Sequence, residues 1–97
     1  MMFKIDQRKG CKNAERTIVA SVEISNRCNK YDPRIGVCLA NYEDENGKVY
    51  WNTWEYNAED PCNYNTGHYY MTDELSAWND YFVRCCDLVD FIKRYTF

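Results

Sequence analysis

The chain has 97 residues, of which 45% are hydrophobic, 16% aromatic and 28% charged, and its formal net charge is −3. This length predicts a single domain over residues 1–97, and nine Tyr with three Trp supply the burial that disordered chains lack. No segment has the apolar length of a signal peptide or a membrane span, so we expect a cytoplasmic protein without a membrane partner.

The first third of the chain contains one clear strand pattern. Residues 1–5 suit a short strand or an ordered arm, and the polar residues 6–13 suit a loop. Residues 17–25 have a period of two and several β-branched side chains, which predicts a half-buried strand. One face of this strand carries Ile18, Ala20, Val22 and Ile24. A helix beginning near Asn13 is the alternative, because several of the same residues also fit helical spacing.

The middle of the chain predicts a β-hairpin. Residues 26–34 are rich in turn formers and predict a loop. Residues 35–43 and 48–56 then predict two strands. Between them, Asn46-Gly47 is a strong hairpin signal, because a type I′ turn needs a positive φ at both central residues. A two-residue loop at this dipeptide sets the predicted strand register.

The predicted register sorts the hairpin side chains onto two faces. Leu39 opposes Trp54 on the face that we expect to join the core, and Tyr42 opposes Trp51 on the other face. An aromatic pair of this kind stabilises a sheet without any further role. Its expected exposure also makes the Tyr42–Trp51 pair a candidate contact for a partner.

The last third combines a long polar segment with an amphipathic helix. Residues 57–67 contain Pro and Gly and predict a loop, and residues 68–71 suit a short strand. Thr72 suits the N-cap of a helix over residues 73–94, whose first turn is acidic. The apolar side chains at three- or four-residue steps are Leu75, Trp78, Phe82, Cys85, Val89 and Ile92. This spacing is typical of a helix that packs one face on a core.

Together, these elements predict an α+β domain. Its sheet has three antiparallel strands, residues 17–25, 35–43 and 48–56, and it packs against the C-terminal helix, residues 73–94. A chain of this size buries a single modest core.

Side chains that could carry chemistry are sparse. The chain has no C-x2-C pair for zinc, Cys62 and His68 lie in or beside the predicted loop, and adjacent Cys85 and Cys86 point about 100° apart on a helix. A catalytic cysteine needs a neighbouring base, and His68 is the only histidine. We therefore predict no enzymatic activity, no cofactor and no metal. We expect free thiols in a reducing compartment, with Cys38 and Cys85 as small core residues.

Charge is distributed unevenly along the chain. Residues 1–40 contain eight bases and four acids, whereas residues 41–80 contain nine acids and one Lys. Carboxylates two residues apart on a strand, as expected for Glu43 and Glu45, stand about 6.6–6.8 Å apart, near twice the spacing of about 3.4 Å between charges of one DNA strand. Glu59, Asp60, Asp73 and Glu74 would extend this row of carboxylates if the fold brings them together. The candidate partner-binding residues are Glu43, Asp44, Glu45, Glu55, Glu59, Asp60, Asp73, Glu74, Tyr42 and Trp51. Solubility alone is the alternative role for these acids.

The acidic and aromatic block EDENGKVYWNTWEYNAED carries a resemblance to a known class of proteins. With 97 residues from Met1, one domain and no catalytic motif, the chain resembles small phage-encoded anti-CRISPR proteins, in particular type I-F inhibitors that mimic DNA. The resemblance implies a monomeric inhibitor in the host bacterial cytoplasm. It would occupy the DNA-binding groove of a CRISPR surveillance complex, at the subunits that recognise the protospacer-adjacent motif, and block target DNA.

The basic N-terminal segment leads to a second hypothesis. Its bases, together with abundant Tyr and Trp, suit a small intracellular module that binds single-stranded DNA or RNA. The acidic balance of the whole chain opposes this function, because backbone binding depends on neutralising phosphates. For this reason we expect no direct DNA binding.

Overall fold

One antiparallel sheet and one helix account for the residues that the structure describes. The computed structural model describes residues 2–25, 35–58 and 60–94, with the backbone alone for Met2, Ser25, residues 60–66 and Ile92. The elements are β1 (Met2–Ile5), β2 (Lys12–Asn13), β3 (Arg16–Ser25), β4 (Ile35–Glu43), β5 (Val49–Asn57), β6 (Asp60–Met71) and α1 (Glu74–Arg94). The strand order is β1-β3-β4-β5-β6, and β2 also pairs with β3. We call the sheet face that packs on α1 the helix face and the opposite one the open face.

The predicted α+β class is confirmed. β3, β4, β5 and α1 lie within one residue of their predicted bounds, and the strand at β3 excludes the helical alternative. The prediction of three strands is wrong, because β1 and β2 extend the sheet beside β3, and β6 extends it beside β5.

β6 (Asp60–Met71) includes residues 68–71, which suit a strand as expected, but it also runs through residues 60–67, where the composition predicts a loop. It pairs with β5 from Met71, opposite Trp51, to Asp60, opposite Asn57, with three shifts of register on the way. Polar residues and Pro are typical of loops, but an edge strand accommodates both, since one side of its backbone needs no partner strand. The shifts of register are bulges, which absorb residues that do not fit a regular ladder.

A bulge in β3 changes the face on which its first apolar residue lies. The pairing of β3 with β4 shifts between Ile18 and Ala20. Ala20, Val22 and Ile24 therefore pack toward α1, whereas Ile18 packs on the open face. The predicted common face of these four residues is wrong at Ile18, because the extra residue of a bulge reverses the alternation.

The register of β4 and β5 is offset by one residue from the predicted one. Tyr42 pairs with Tyr50, whereas the Trp51 side chain packs on the helix face. Leu39 likewise opposes Thr53. The predicted Tyr42–Trp51 pair is therefore wrong, and these two rings lie on opposite faces of the sheet.

A three-residue turn causes this offset. The N–H of Asp44 donates to the carbonyl of Lys48 at 2.9 Å, and the N–H of Gly47 donates to the carbonyl of Asp44 at 3.1 Å. The Asp44 carboxylate also accepts the N–H groups of Asn46 and Lys48, each at 2.9 Å. In this turn Gly47 alone has a positive φ, 81°. These features match a type I turn followed by a left-handed residue and not the predicted type I′ turn.

Two apolar clusters lie on the two faces of the sheet. The buried residues of the helix-face cluster are Ala20, Val22, Ile24, Val37, Leu39, Ala77, Tyr81 and Leu88. Those of the open-face cluster are Ile18, Cys38, Ala40, Trp54 and Tyr56. β4 contributes to both, because alternate side chains of a central strand point to opposite faces. Gly36 of β4 leaves room for the ring of Tyr56, since a Cβ at this position would overlap that ring.

Asp80 attaches α1 to the sheet through polar contacts. Its carboxylate accepts hydrogen bonds from the Thr53 hydroxyl and from Nε of Arg84, the latter at 2.9 Å, and it lies 3.0 Å from Nδ1 of His68. Desolvation raises the pKa of Asp80, but the hydrogen bonds and the charges of Arg84 and His68 outweigh it, so the pKa is lowered. The helix α1 is not long and apolar enough to cross a membrane.

Gly47→Val tests the turn. Valine at a φ of 81° is strained, so we expect the free energy of unfolding to fall by about 1–3 kcal/mol. Asn46→Ala is the matched control, because this position does not have a positive φ, and we expect a change within about 0.5 kcal/mol. Urea denaturation measures both. Large losses at both positions would indicate a two-residue turn instead.

Asp80→Asn tests the attachment of α1. At neutral pH the loss of charge-assisted hydrogen bonds should lower the free energy of unfolding by about 1–3 kcal/mol. Because the folded-state pKa of Asp80 is lowered, this stabilisation is present above the ordinary Asp pKa and is lost as pH falls through the folded-state pKa. Urea titrations should therefore show a smaller difference from the wild type in acid. A difference that does not change with pH would contradict the role of the ionised carboxylate.

Candidate functional site

The structure separates the predicted acids into two groups at opposite ends of the sheet. Glu43 ends β4, and Asp44 and Glu45 lie in the β4–β5 turn. Asp60 begins β6 at the far end of β5, and Glu59 lies outside the described residues. The length of β5 puts these two groups roughly 26 Å apart along the sheet. One continuous row of carboxylates from Glu43 to Asp60 is therefore not formed.

The acids of the β4–β5 turn are joined by an acid from a neighbouring hairpin. Glu15 lies in the β2–β3 turn, and the pairing of Thr17 with Asn41 brings this turn beside the end of β4. A cleft of about 500 Å³ is lined by Glu15, Tyr42, Glu43, Asp44, Glu45 and Asn46, and we call these six residues the acidic cleft. A cleft lined by charges of one sign concentrates their field and attracts the opposite charge.

The carboxylates of the acidic cleft have different roles. That of Asp44 accepts two backbone N–H groups within the turn. The side chains of Glu15, Glu43 and Glu45 are exposed to solvent. Because Glu45 lies in the turn and not on a strand, the strand spacing expected between Glu43 and Glu45 does not apply. The exposed acids share one cleft.

Three tyrosines lie next to the acidic cleft on the open face. The rings of Tyr42 and Tyr50 stack with centroids 5.3 Å apart, and the ring of Tyr70 stands edge-on to them at 6.2 and 6.0 Å. Tyr70 is 59% exposed and has a φ of 60°. The side-chain oxygen of Asn52 accepts its N–H at 3.1 Å and holds this conformation. We call Tyr42, Tyr50 and Tyr70 the tyrosine cluster.

Two cationic side chains lie over rings of the tyrosine cluster. Desolvation raises the pKa of Tyr42, and Tyr70 and Tyr50 raise it further, so its hydroxyl stays protonated at neutral pH. The Arg16 guanidinium lies 5.8 Å from the centre of the Tyr70 ring, and Nζ of Lys48 lies 5.3 Å from that of Tyr50. These contacts show that the rings accept cations on their faces.

Two of the N-terminal bases, Arg8 and Lys12, have contacts within the protein. Nε of Arg8 lies 3.5 Å from the Glu23 carboxylate, and its guanidinium donates to the carbonyl of Ala58 at 3.1 Å. Lys12 donates to the Thr17 hydroxyl at 2.6 Å. Residues 26–34, which hold further bases, lie outside the described ranges. These contacts disfavour a nucleic-acid site built on Arg8 and Lys12.

Two predicted site residues lie on the helix face instead of beside the acidic cleft. The Glu55 carboxylate lies 3.6 Å from Nη1 of Arg84, and the Trp51 ring packs against the helix-face cluster. Both side chains therefore contribute to the packing of α1 on the sheet.

Asp73 and Glu74 have roles within α1. Asp73, and not the predicted Thr72, is the N-cap, and its carboxylate accepts the Ser76 hydroxyl at 2.5 Å. This hydrogen bond, assisted by backbone N–H groups and opposed by desolvation, lowers the pKa of Asp73. Glu74 accepts the indole N–H of Trp78 at 3.4 Å. Met71, at the end of β6 just before this cap, pairs with Trp51 near the start of β5. The start of α1 therefore lies toward the same end of the sheet as the acidic cleft.

The described cysteines are Cys11, Cys38, Cys85 and Cys86, and all four are free thiols. Burial raises the pKa of Cys38 well above its usual value and that of Cys85 to about 11, which keeps both protonated. Both pack against apolar clusters, as predicted. Within the described ranges, no three His, Cys, Asp or Glu residues come together as potential metal ligands. The Cys62 side chain lies outside the described residues.

The sequence analysis did not identify Tyr50, Tyr70 or Glu15 as residues of this surface. The position of Tyr50 opposite Tyr42 could have been predicted from a three-residue turn. Asp44 favours a turn of this length, because its side chain accepts backbone N–H groups within the turn. Tyr70 and Glu15 have no comparable local signal. Their positions depend on the edge strand β6 and on the pairing of β3 with β4.

Comparison of the chain with protein-family models, with curated proteins and with solved structures found no match. The geometry and charge of the acidic cleft and the tyrosine cluster therefore carry the functional inference.

Trp51→Ala and Tyr50→Ala test which ring is structural. Because Trp51 packs on the helix-face cluster, its truncation should lower the free energy of unfolding by about 2–4 kcal/mol. Tyr50→Ala removes ring contacts on the open face and should cost about 1 kcal/mol. Thermal and urea denaturation of the two variants, side by side, give the comparison. A larger loss for Tyr50→Ala than for Trp51→Ala would contradict this register and favour the one in which Trp51 is exposed.

Proposed function

We propose that the protein is a non-enzymatic inhibitor that inserts its acidic cleft and tyrosine cluster into a basic, DNA-binding groove of a partner. The observation that carries this proposal is the convergence of Glu15, Glu43 and Glu45 on one cleft beside three tyrosines. The carboxylates take the positions of phosphates. The tyrosines supply flat contact area on which Arg and Lys side chains stack.

The partner in this proposal is taken from the resemblance to type I-F anti-CRISPR inhibitors. The protein would bind the type I-F CRISPR surveillance complex in the bacterial cytoplasm, at the subunits that recognise the protospacer-adjacent motif. A DNA-binding groove presents Arg and Lys side chains to phosphates. The acidic cleft offers these cations carboxylates at one end of the sheet, where two turns project together.

The proposed mimicry is local and not a copy of a long DNA strand. Glu55, Asp73 and Asp80 hold or cap α1, so their carboxylates serve the fold. A small charged patch acts mainly on the association rate, because long-range attraction steers the encounter. Salt should therefore slow association before it changes dissociation, since exposed charges are screened within about 8–10 Å at physiological ionic strength.

The double variant Glu43→Gln/Glu45→Gln tests the proposal. It removes two exposed charges of the acidic cleft and leaves Asp44, which closes the turn. We expect the variant to fold like the wild type, because exposed charges add little stability. Its association with the purified complex should slow at least tenfold, and it should no longer displace labelled target DNA. Surface plasmon resonance and a gel-shift competition measure the two effects.

Asp87→Asn/Asp90→Asn is the matched control, because it removes the same charge from exposed positions on α1. This control should bind and displace DNA like the wild type. If both double variants weakened binding to the complex equally, net charge alone would explain the effect. Unchanged binding of Glu43→Gln/Glu45→Gln would refute the role of the cleft.

A further experiment mixes the protein with labelled single-stranded DNA or RNA in the absence of the complex. Direct binding there would favour a nucleic-acid-binding module.

A further inference from the structure

Arg16, at the start of β3, has no acidic partner among the described residues. Its Nε is buried and has no hydrogen-bond partner within the same part of the chain. The guanidinium groups of Arg8 and Arg84, in contrast, each face carboxylates of the protein. Because a buried donor without an acceptor costs free energy, an acceptor from outside the chain would stabilise the arrangement around Arg16.

The Arg16 guanidinium lies over two tyrosine rings. Its Cζ is 5.1 Å from the centre of the Tyr69 ring and 5.8 Å from that of the Tyr70 ring. The Tyr69 ring is itself stacked on buried Trp54, with centroids 6.3 Å apart. Asn52 holds the backbone of Tyr70. We call Arg16, Tyr69 and Tyr70 the arginine site. Because the sheet fixes its rings, the guanidinium loses little freedom when a ligand binds.

The arginine site adjoins the acidic cleft. Desolvation is the largest cause that raises the pKa of Tyr42, the charge of Glu15 raises this pKa further, and the charge of Arg16 lowers it. Both charges therefore lie near the Tyr42 hydroxyl. The side chain of Arg16 is half-buried, and that of Glu15 is exposed. A partner that covers this surface meets one cation beside a group of carboxylates.

The neighbouring carboxylates decide which anion suits Arg16. A guanidinium donates two parallel hydrogen bonds to a carboxylate or to a phosphate. The exposed side chains of Glu15 and Glu43 repel either anion, but they repel a nucleic acid more, because each of its phosphates is followed by others. A single carboxylate brings one charge only. The surface therefore favours a carboxylate as the ligand of Arg16.

We propose that the arginine site binds the carboxylate of an Asp or Glu side chain of a protein partner. The two outer nitrogens of Arg16 donate to the carboxylate oxygens, while the rings of Tyr69 and Tyr70 keep the guanidinium in place. The partner then presents one acid beside the bases that enter the acidic cleft. The site itself does not depend on the proposed inhibitor function, and only the identity of the partner rests on it.

Titration with acetate tests the site in the protein alone. Isotope-labelled protein is transferred stepwise from sodium chloride to sodium acetate at constant ionic strength, and NMR follows the Nε–H signals of Arg8, Arg16 and Arg84. We expect the Arg16 signal to move at least twice as far as the other two, whose guanidinium groups already face carboxylates. Sodium phosphate in place of acetate should move it less. Equal shifts for all three arginines, or a larger Arg16 shift in phosphate, would overturn the proposal.

Binding to the surveillance complex tests the contact with a partner. Arg16→Gln makes the protein more acidic, so net charge alone predicts tighter binding to a basic groove. Loss of a carboxylate contact predicts the reverse, at least tenfold weaker binding through faster dissociation. Lys9→Gln is the matched control, because it removes the same charge from an exposed position before β2, and it should bind at least as tightly as the wild type. Surface plasmon resonance measures both variants, and circular dichroism verifies the fold of each.

Arg16→Lys separates the charge of the side chain from its shape. Lysine keeps the charge but lacks the planar fork that pairs with a carboxylate, so it should recover only part of the affinity lost in Arg16→Gln. Arg16→Gln binding as tightly as Lys9→Gln, or full recovery by Arg16→Lys, would contradict the proposed contact. If the wild type does not bind the complex at all, the proposed function fails, and the acetate titration alone decides the arginine site.

Discussion

The alternation of side chains along β4 and β5 is the constraint on which the rest of the structure depends. A slip of one residue in this pairing would exchange every side chain between the helix face and the open face. The three-residue turn sets the observed pairing, and it is held by the Asp44 carboxylate and by the positive φ of Gly47. With this register, the Thr53 hydroxyl reaches Asp80 on α1, and Tyr56 lies over Gly36 on the other face. The docking of the helix and the open-face cluster therefore share one cause.

The same register divides the carboxylates by role. Asp44 closes a turn, Asp73 caps α1, and Asp80 joins α1 to the sheet. Each accepts hydrogen bonds from groups within the protein, and such bonds favour the fold without offering a charge to a partner. The exposed acids Glu15 and Glu43 lie at one end of the sheet, beside the tyrosine cluster. Net charge alone does not reveal this division, because it counts structural and exposed carboxylates equally.

Local patterns determined the α+β class and most element bounds. The period of two in β3 and the three- and four-residue steps of α1 depend on neighbouring residues, and both predict their elements within one residue. The tertiary structure alone decided which faces these residues occupy. The bulge beside Ile18, the length of the turn after Asp44 and the polar strand β6 each depend on a partner strand. The acidic cleft joins Glu15 to the β4–β5 turn for the same reason. Local propensity favours a strand, but only hydrogen bonds and packing with distant strands determine its register, and register decides which side chains meet.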